Sequence, residues 1–281
     1  MAGHSGDSGD SGDSGDAGNV ALAGAGWLFA DRVDLPFITE KDVAEQRTGR
    51  AYFGERNWAA RWTAWRVVAD FGQTNWHTLI NLQGPAGFTA KTLNDEIKLL
   101  ETMALDERPD ALGEIIDQAD EFMGYFMTVL GGKPATHPAS YLVFNMANLV
   151  ATLVAMHFKG VHDRPRPSHV CPALLPPLEV PGHASYPSGH ATQAHLIARC
   201  AREMLPAGQQ TGMGIVLDAL AARIARNREI AGLHYESDTL AGKYLAGEIY
   251  KILSDETKMP HASGQPSRFK AAMTRAIAEW A

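Results

Sequence analysis

The chain has 281 residues, of which 45% are hydrophobic, and this length and composition are typical of a globular protein with a substantial core. Its formal net charge of -7 argues against a general nucleic-acid-binding protein, which would present a basic face. The two cysteines, Cys171 and Cys200, form no Cys-x-x-Cys pair, so a structural zinc site is not expected. Their spacing leaves a disulfide open, but two free thiols are favoured.

Residues 1–18 repeat Gly, Asp and Ser, and they predict a disordered tail because they carry too little apolar surface to offset the entropy of ordering. The N-terminus lacks the basic segment of a secretory signal. The segment Tyr141–Phe158 comes closest to a membrane span, but polar residues interrupt it: Asn145, Asn148, Thr152 and His157. We therefore expect a core helix there, no membrane contact, and a soluble, cytoplasmic protein.

Helical periodicity dominates the rest of the chain, and no stretch alternates as a strand would. After an arm over residues 19–40, a helical pattern over 41–70 places Trp58, Trp62, Trp65 and Val68 on one side, which predicts core positions. Further helices are predicted over 91–107, 110–130, 138–159, 189–205, 213–231, 234–253 and 268–280, the first three ended by Pro109, by Gly131 and Gly132, and by Gly160. The predicted fold is an all-α helical bundle, with one catalytic domain over residues 19–281.

Residues 160–186 are rich in proline, which breaks helix and strand alike. A long irregular segment inside a compact domain is uncommon unless it has a function. This segment begins in one motif, Lys159 to Pro167, and leads into a second, Pro187-Ser188-Gly189-His190.

The second motif precedes a predicted helix, so Ser188 and Gly189 fall at a helix N-terminus, where free amides and the helix dipole favour an anion. His190 is placed to transfer a proton to or from a group bound there. Ser188 acting only as a helix cap, with an incidental histidine beside it, remains the alternative.

In the first motif, Lys159 ends the central helix and Arg166 lies between two prolines that restrict its guanidinium. A planar guanidinium held in this way suits bidentate contact with an oxyanion. A solvated basic loop is the alternative.

The third motif joins Arg228, His234 and Asp238. His234 and Asp238 are four residues apart and share one face of a helix, so the carboxylate can orient the imidazole and leave its other nitrogen free to attack or to bind a metal. A bend at Gly232 would bring Arg228 and His234 to one point. An exposed His–Asp pair worth about 0.3–0.5 kcal/mol is the alternative.

Together the three motifs resemble the superfamily of type-2 phosphatidic acid phosphatases, bacterial acid phosphatases and vanadium-dependent haloperoxidases, over about residues 140–250. The third motif usually starts Ser-Arg in this superfamily, whereas this chain has Asn227-Arg228, and asparagine can keep a hydrogen bond there. The resemblance implies that an oxyanion is bound equatorially by a set of five residues, with His234 at its apical position and His190 as acid–base residue: Lys159, Arg166, Ser188, Gly189 and Arg228.

The resemblance implies two possible chemistries. In a haloperoxidase, His234 would hold vanadium apically as vanadate, His190 would help hydrogen peroxide to replace an oxo ligand, and Lys159 would polarise the peroxide for attack by bromide. In a soluble acid phosphatase, His234 would attack the phosphorus of a phosphate monoester and form a phosphohistidine. Phosphate and vanadate suit the same cations because vanadate resembles the phosphoryl-transfer transition state.

His183 favours the first chemistry, because the bromoperoxidase branch has a second histidine seven residues before the one at His190. The following Ala191-Thr192-Gln193 is also similar to that branch. A bacterial-type bromide-oxidising haloperoxidase is therefore the main prediction, with the phosphatase as the alternative and a homodimer as a further possibility. A loop histidine without function at His183, and a degenerate oxyanion sensor or divalent-metal site among the histidines of 157–195, remain open.

Overall fold

The computed structural model describes Asp34, Gly54 and residues 57–281. The chain divides into two units, residues 1–59 and 60–281, and nearly all described residues belong to the second. The predicted tail over residues 1–18 and most of the arm over 19–40 lie outside the described residues. The single catalytic domain over 19–281 therefore stays a prediction.

The described part of the chain is all-α, which confirms the predicted fold class. Short 3-10 turns at Pro85–Gly87 and Pro172–Leu174 join some of its helices. In chain order the helices are α1 (Ala60–Gly72), α2 (Trp76–Leu79), α3 (Leu93–Asp106), α4 (Arg108–Asp117), α5 (Met123–Val129), α6 (Pro138–His162), α7 (Pro167–Val170), α8 (Gly189–Met204), α9 (Ala207–Ile230), α10 (Glu236–Leu253) and α11 (Arg268–Ala278).

Helix α6 lies at the centre of the bundle, in contact with α1, α8, α10 and α11. Its fully buried side chains include Val143, Phe144, Val150 and Val154, and burial of each such residue contributes about 1.5–3 kcal/mol. Helix α8 packs in turn against α9 and α10. This core therefore fixes the ends of the four helices that carry or adjoin the three motifs.

The structure also corrects the predicted location, because α6 has the length and apolar character of a membrane-crossing helix. The stretch Pro138–Val170 reaches a mean hydropathy of 1.6, and 61% of that window is buried inside the protein. Two of the polar residues that argued against a span form side-chain hydrogen bonds within the helix: Asn145 Nδ2 donates to the carbonyl of Tyr141, and Thr152 Oγ1 donates to the carbonyl of Asn148. The prediction of a soluble, cytoplasmic protein is therefore wrong, and the expected lack of membrane contact loses its basis as well.

Several predicted helix ends differ from the observed ones. Pro109 lies in the first turn of α4 and does not merely end α3, because the first turn of a helix does not use the missing N–H. Helix α6 continues through Gly160 to His162 and ends where Asp163 adopts a left-handed conformation, φ 44°. The predicted helix over 110–130 is two helices, α4 and α5, separated by residues 118–122.

The tryptophans near α1 do not lie in the core. Trp58, Trp62 and Trp65 are 41%, 58% and 48% exposed, so the core assignment from their spacing is wrong. The buried face of α1 is instead formed by smaller residues at helical spacing: Ala64, Val67, Val68 and Phe71. Both cysteines are free thiols, as favoured from the sequence, with Cys200 buried and Cys171 half-buried.

Candidate active site

The three motifs meet at one cavity of about 190 Å³. The end of α6 brings Lys159, the proline-rich segment brings Arg166 and His183, the start of α8 brings Gly189 and His190, the end of α9 brings Arg228, and His234 comes just before α10. The remaining lining residues are Thr152, Ala155, Met156, Pro181, Gln193 and Leu233. Every predicted oxyanion ligand except Ser188 therefore lines this cavity.

The cavity is strongly electropositive. Lys159, Arg166 and Arg228 are 2%, 1% and 1% exposed, and the lining residues include no carboxylate. Lys159 Nζ donates to the carbonyls of Ala184 and Ser185, at 2.7 and 2.8 Å. Buried cations that face no counter-ion are costly, so a bound anion would stabilise this arrangement.

Burial lowers the pKa of each of these cations. The pKa of Lys159 falls to about 7, through desolvation first and the charge of Arg166 second. Desolvation also lowers the pKa of Arg166 and that of Arg228 to about 10. The largest cause of all three shifts is the loss of water around a positive charge, which the charge of Asp238 on Lys159 and Arg166, and that of Asp120 on Arg228, offsets only in part.

The backbone bends after α9, so that Arg228 and His234 line the same cavity. Gly232 adopts φ 76°, a left-handed conformation that glycine takes without a steric penalty, and the amides of Leu233 and His234 donate back to the carbonyl of Arg228. Arg228 Nη2 donates to the carbonyl of Ile115 at 2.5 Å. Its buried Nε has no hydrogen-bond partner among the described residues, which leaves one donor available to a ligand.

The neighbours of His234 determine which of its nitrogens carries the proton. Nδ1 lies 3.0 Å from Asp238 Oδ2, and Nε2 lies 3.2 Å from Arg166 Nη1. An ionised carboxylate only accepts hydrogen bonds and a guanidinium only donates them, so the proton belongs on Nδ1 and the lone pair on Nε2. Desolvation, followed by the charges of Arg166 and Lys159, holds the pKa of His234 well below its usual value. A neutral imidazole with a free lone pair on Nε2 is the form required of a nucleophile.

The Pro-Ser-Gly-His motif is fixed at the N-terminus of α8. Ser188 Oγ accepts from the amide of Ala191 at 3.3 Å, and the amide of Ser188 donates to the carbonyl of Asp238 at 3.0 Å. The hydroxyl is thus the helix cap that the sequence allowed as an alternative, and it does not line the cavity. A side chain at Gly189 would meet no atom within 4 Å.

The Nε2 atom of His190 faces two backbone carbonyls. This atom lies 3.1 and 3.2 Å from the carbonyls of Gln118 and Ala119, at the end of α4. Because carbonyls only accept, Nε2 carries a proton, and Nδ1 is the nitrogen that gains or loses one. Desolvation first, and the charge of Arg228 second, lower the pKa of His190 to about 4.

His183 belongs to the same cavity, which places it within reach of a bound ligand. Its Nδ1 lies 3.0 Å from Arg166 Nη2, and its carbonyl accepts from Arg166 Nε at 3.1 Å. Desolvation lowers its pKa. His183 therefore helps to hold the guanidinium whose other end contacts His234.

Sequence reasoning missed a second layer of buried residues around Asp238. Ser185 Oγ donates to Asp238 Oδ2 at 2.5 Å, and Arg164 Nη1 donates to Asp238 Oδ1 at 2.7 Å. Arg164 Nη2 also donates to Glu96 Oε2, at 2.6 Å. The only signal for Arg164 was its place inside the first motif, two residues before Arg166, and Glu96 carried none.

The divalent-metal alternative gains no support from side-chain geometry. Over Asp34, Gly54 and residues 57–281, no group of three His, Cys, Asp or Glu side chains is arranged to hold a metal ion. An oxyanion would need no such group, since the cations described above would be its ligands.

Comparison with known proteins gives relatives of one kind. No protein-family model matches the chain. It is 28% identical over 155 residues to decaprenylphosphoryl-5-phosphoribose phosphatase from two strains of Mycobacterium tuberculosis, CDC 1551 / Oshkosh and H37Rv, an alignment that covers 53% of this chain and 82% of the relative. Among solved structures, a transmembrane PAP2-type phosphatidylglycerolphosphate phosphatase from Bacillus subtilis matches with a TM-score of 0.47 and 14% identity, over 66% of this chain and 92% of that chain.

The relative found by sequence is a phosphatase, which agrees with the phosphatase side of the resemblance that the three motifs carry. The relatives do not single out the haloperoxidase branch that the sequence analysis preferred. Asn227, which stands where the superfamily's third motif usually has serine, forms two hydrogen bonds. Its Nδ2 donates to Gln118 Oε1 at 2.8 Å and to Glu114 Oε2 at 3.1 Å. Asn227 thereby anchors the residue next to Arg228.

Proposed function

We propose that the protein is a phosphatase that hydrolyses phosphate monoesters through a phosphohistidine on His234. The observation that carries this proposal is a small cavity lined by three buried cations and no carboxylate, with the lone pair of His234 Nε2 facing the same group of residues. The phosphatase relatives support the reaction class. The part of the substrate that this cavity would bind is a phosphate monoester group.

The proposed reaction assigns one task to each side chain. Nε2 of His234 forms a bond to phosphorus while the bond from phosphorus to the ester oxygen breaks, and Asp238 accepts the Nδ1 proton in a hydrogen bond throughout. His190 donates a proton to the departing alkoxide. Water then attacks the phosphohistidine, His190 takes a proton from that water, and phosphate leaves with His234 restored.

The cations stabilise the transferring phosphoryl group. Arg166, Arg228 and Lys159 surround the cavity before any ligand arrives, so little reorganisation is needed as charge builds on the phosphoryl oxygens. A phosphate dianion would also raise the pKa of His190 by its charge, which supplies the protonated form that the leaving group needs.

Hydrolysis of p-nitrophenyl phosphate by purified protein tests this proposal, together with acid-labile, base-stable phosphate trapped on the chain during turnover. We expect both signals in the unaltered protein. Hydrolysis without a trapped phosphohistidine would remove His234 as nucleophile, and no hydrolysis of any phosphate monoester would remove the function.

A second candidate, the vanadate-dependent haloperoxidase, is favoured by the position of His183. This histidine lines the cavity and contacts Arg166, so it is placed to tune a bound peroxide or halide. The cations that would hold phosphate would hold vanadate equally well, together with His234, and vanadate would supply peroxide activation. The relatives favour the phosphatase, so the haloperoxidase stays the less supported of the two, and the homodimer stays a prediction.

A further inference from the structure

We propose that Arg164 and Glu96 act as positioning residues, a buried chain of charges that holds Asp238, and through it His234, in the reactive arrangement. The inference rests on the phosphatase function proposed above. Neither residue lines the cavity, so any effect on the reaction is transmitted through Asp238.

Arg164 is fixed on three sides. Its Nη1 donates to Asp238 Oδ1 and to Ser237 Oγ, both at 2.7 Å, and its Nη2 donates to Glu96 Oε2. The guanidinium carbon also lies 3.7 Å from the centre of the Tyr235 ring. A planar group with this many fixed contacts has one orientation available, and only arginine offers the required set of donors.

Glu96 connects this arrangement to α3, a helix outside all three motifs. Its Oε1 accepts from the amide of Ser237 at 2.9 Å and from Ser237 Oγ at 2.6 Å. The side chains of Glu96, Arg164 and Asp238 are 2%, 11% and 0% exposed, so their charges interact with little screening by water. Glu96 thus fixes both Arg164 and the first turn of α10, where Asp238 lies.

The two oxygens of Asp238 have separate tasks. Oδ1 accepts from Arg164, whereas Oδ2 accepts from His234 Nδ1, from Ser185 Oγ and from the amide of Tyr235 at 3.2 Å. Burial raises the pKa of Asp238, and the charge of Arg164 opposes that rise and favours the ionised carboxylate. Without that charge Asp238 would take up a proton at a higher pH, and His234 would lose the acceptor that keeps its proton on Nδ1.

The test compares Arg164→Gln, Arg164→Lys and Glu96→Gln with the unaltered protein in phosphate ester hydrolysis as a function of pH. For Arg164→Gln we expect kcat to fall about 10- to 100-fold, KM to change less than about two-fold, and the acidic limb of the kcat profile to move to higher pH. Arg164→Lys keeps the charge but not the planar donor set, so it should restore part of the rate and return the limb toward its original position. For Glu96→Gln, the fall in kcat and the shift of the acidic limb should lie between those of Arg164→Gln and Arg164→Lys.

A matched control breaks a different ion pair between an arginine and a buried carboxylate, and neither residue of that pair lines the cavity. Arg268 Nη1 donates to both oxygens of the buried Asp70, at 2.7 Å each, so Arg268→Gln breaks a comparable pair between α11 and α1. We expect it to lower stability and to leave the pH profile unchanged. A shift of the acidic limb in this control of the same size as in Arg164→Gln would show that any lost ion pair produces the effect, and would overturn the proposal.

A readout independent of turnover separates failure of this inference from failure of the proposed function. NMR of ¹⁵N-labelled histidine reports the tautomer and titration of His234, which is faced by Asp238, Arg166, Lys159, His190 and His183. We expect Arg164→Gln to shift this titration or to mix the tautomers, even if no phosphate ester is hydrolysed. An unchanged His234 spectrum in folded Arg164→Gln overturns the positioning role; if that variant does not fold, the same measurement on Arg164→Lys and Glu96→Gln decides.

Discussion

Nη1 of Arg166 lies 3.2 Å from Nε2 of His234, so the atom that would attack phosphorus is already hydrogen-bonded to a cation that would bind the phosphoryl oxygens. An arriving oxyanion competes for that guanidinium N–H and releases the lone pair of Nε2. Binding of the substrate and activation of the nucleophile are therefore coupled through one hydrogen bond.

The role of His234 predicts the largest single loss of activity. His234→Ala removes the only nucleophile in the proposed mechanism, so p-nitrophenyl phosphate hydrolysis should fall by at least about 10³-fold with the helical content unchanged. His169→Ala serves as its control, because His169 is exposed on the same proline-rich segment and does not line the cavity. Turnover retained in the His234 variant would end the nucleophile assignment.

Lys159 predicts a pH dependence of anion binding. Its pKa of about 7 in the empty site means that it is charged below pH 7 and loses its proton above it. Because the bound anion favours the cation, binding above pH 7 takes up a proton, and affinity falls by at most about tenfold per pH unit. Before the anion binds, the lowered pKa values of His183, His190 and His234 keep these histidines neutral above pH 7.

Calorimetric titration with sulfate, which does not itself titrate here, measures this effect in buffers of different ionisation enthalpy. We expect proton uptake at pH 8 and little at pH 6, and a weaker, pH-independent affinity in Lys159→Met. Sulfate affinity that is constant from pH 6.5 to 9 in the unaltered protein would contradict the assignment.

The sequence predicted the site far better than its surroundings. Lys159, Arg166, Arg228 and His234 could be named because their residue types and spacing are those expected of an oxyanion site, and the structure brings all four to one cavity. Glu96 could not, because its role depends on α3 lying beside the start of α10, and a glutamate in a helix carries no sign of that contact.

The errors in the fold prediction also come from contacts that the sequence does not reveal. Trp62 and Trp65 repeat at helical spacing, but spacing alone does not say which side of α1 faces the core. The polar residues of α6 argued against a membrane span, whereas Asn145 and Thr152 hydrogen-bond to the preceding turn of the predicted helix. Local satisfaction of polar groups is invisible to a count of apolar residues.

Gly242 lies where α10 packs against the start of α8, and this close contact leaves no room for a side chain. A Cβ there would lie 2.7 Å from the carbonyl oxygen of Ser188 and 2.8 Å from Ala191 Cβ. Gly242→Ala should therefore lower the free energy of unfolding by about 1–3 kcal/mol and displace the motif that ends in His190.

Gly247→Ala, on the same helix, is the matched control for that change, since a Cβ there meets nothing within 4 Å. It should be neutral or stabilise the protein by about 0.5–1 kcal/mol. Urea unfolding measures both variants, and equal effects would show that the close approach of the two helices is not the cause.

Substitution of His183 distinguishes its proposed role in a phosphatase from its proposed role in a haloperoxidase. In a phosphatase, His183→Ala removes a contact to Arg166 and should raise KM for p-nitrophenyl phosphate with a smaller change in kcat. In a haloperoxidase it should change halide preference more than vanadate affinity. A variant that differs from the unaltered protein in none of these measurements would leave His183 without a role in either chemistry.

The most direct test of the central assignment is a paired assay on one preparation: hydrolysis of p-nitrophenyl phosphate, and bromination of a phenol dye with orthovanadate, bromide and hydrogen peroxide. We expect hydrolysis of p-nitrophenyl phosphate, inhibited by vanadate that competes for the site, and little bromination of the dye. Bromination that depends on vanadate, in protein that hydrolyses no phosphate monoester, would contradict it and assign the cavity to the haloperoxidase reaction.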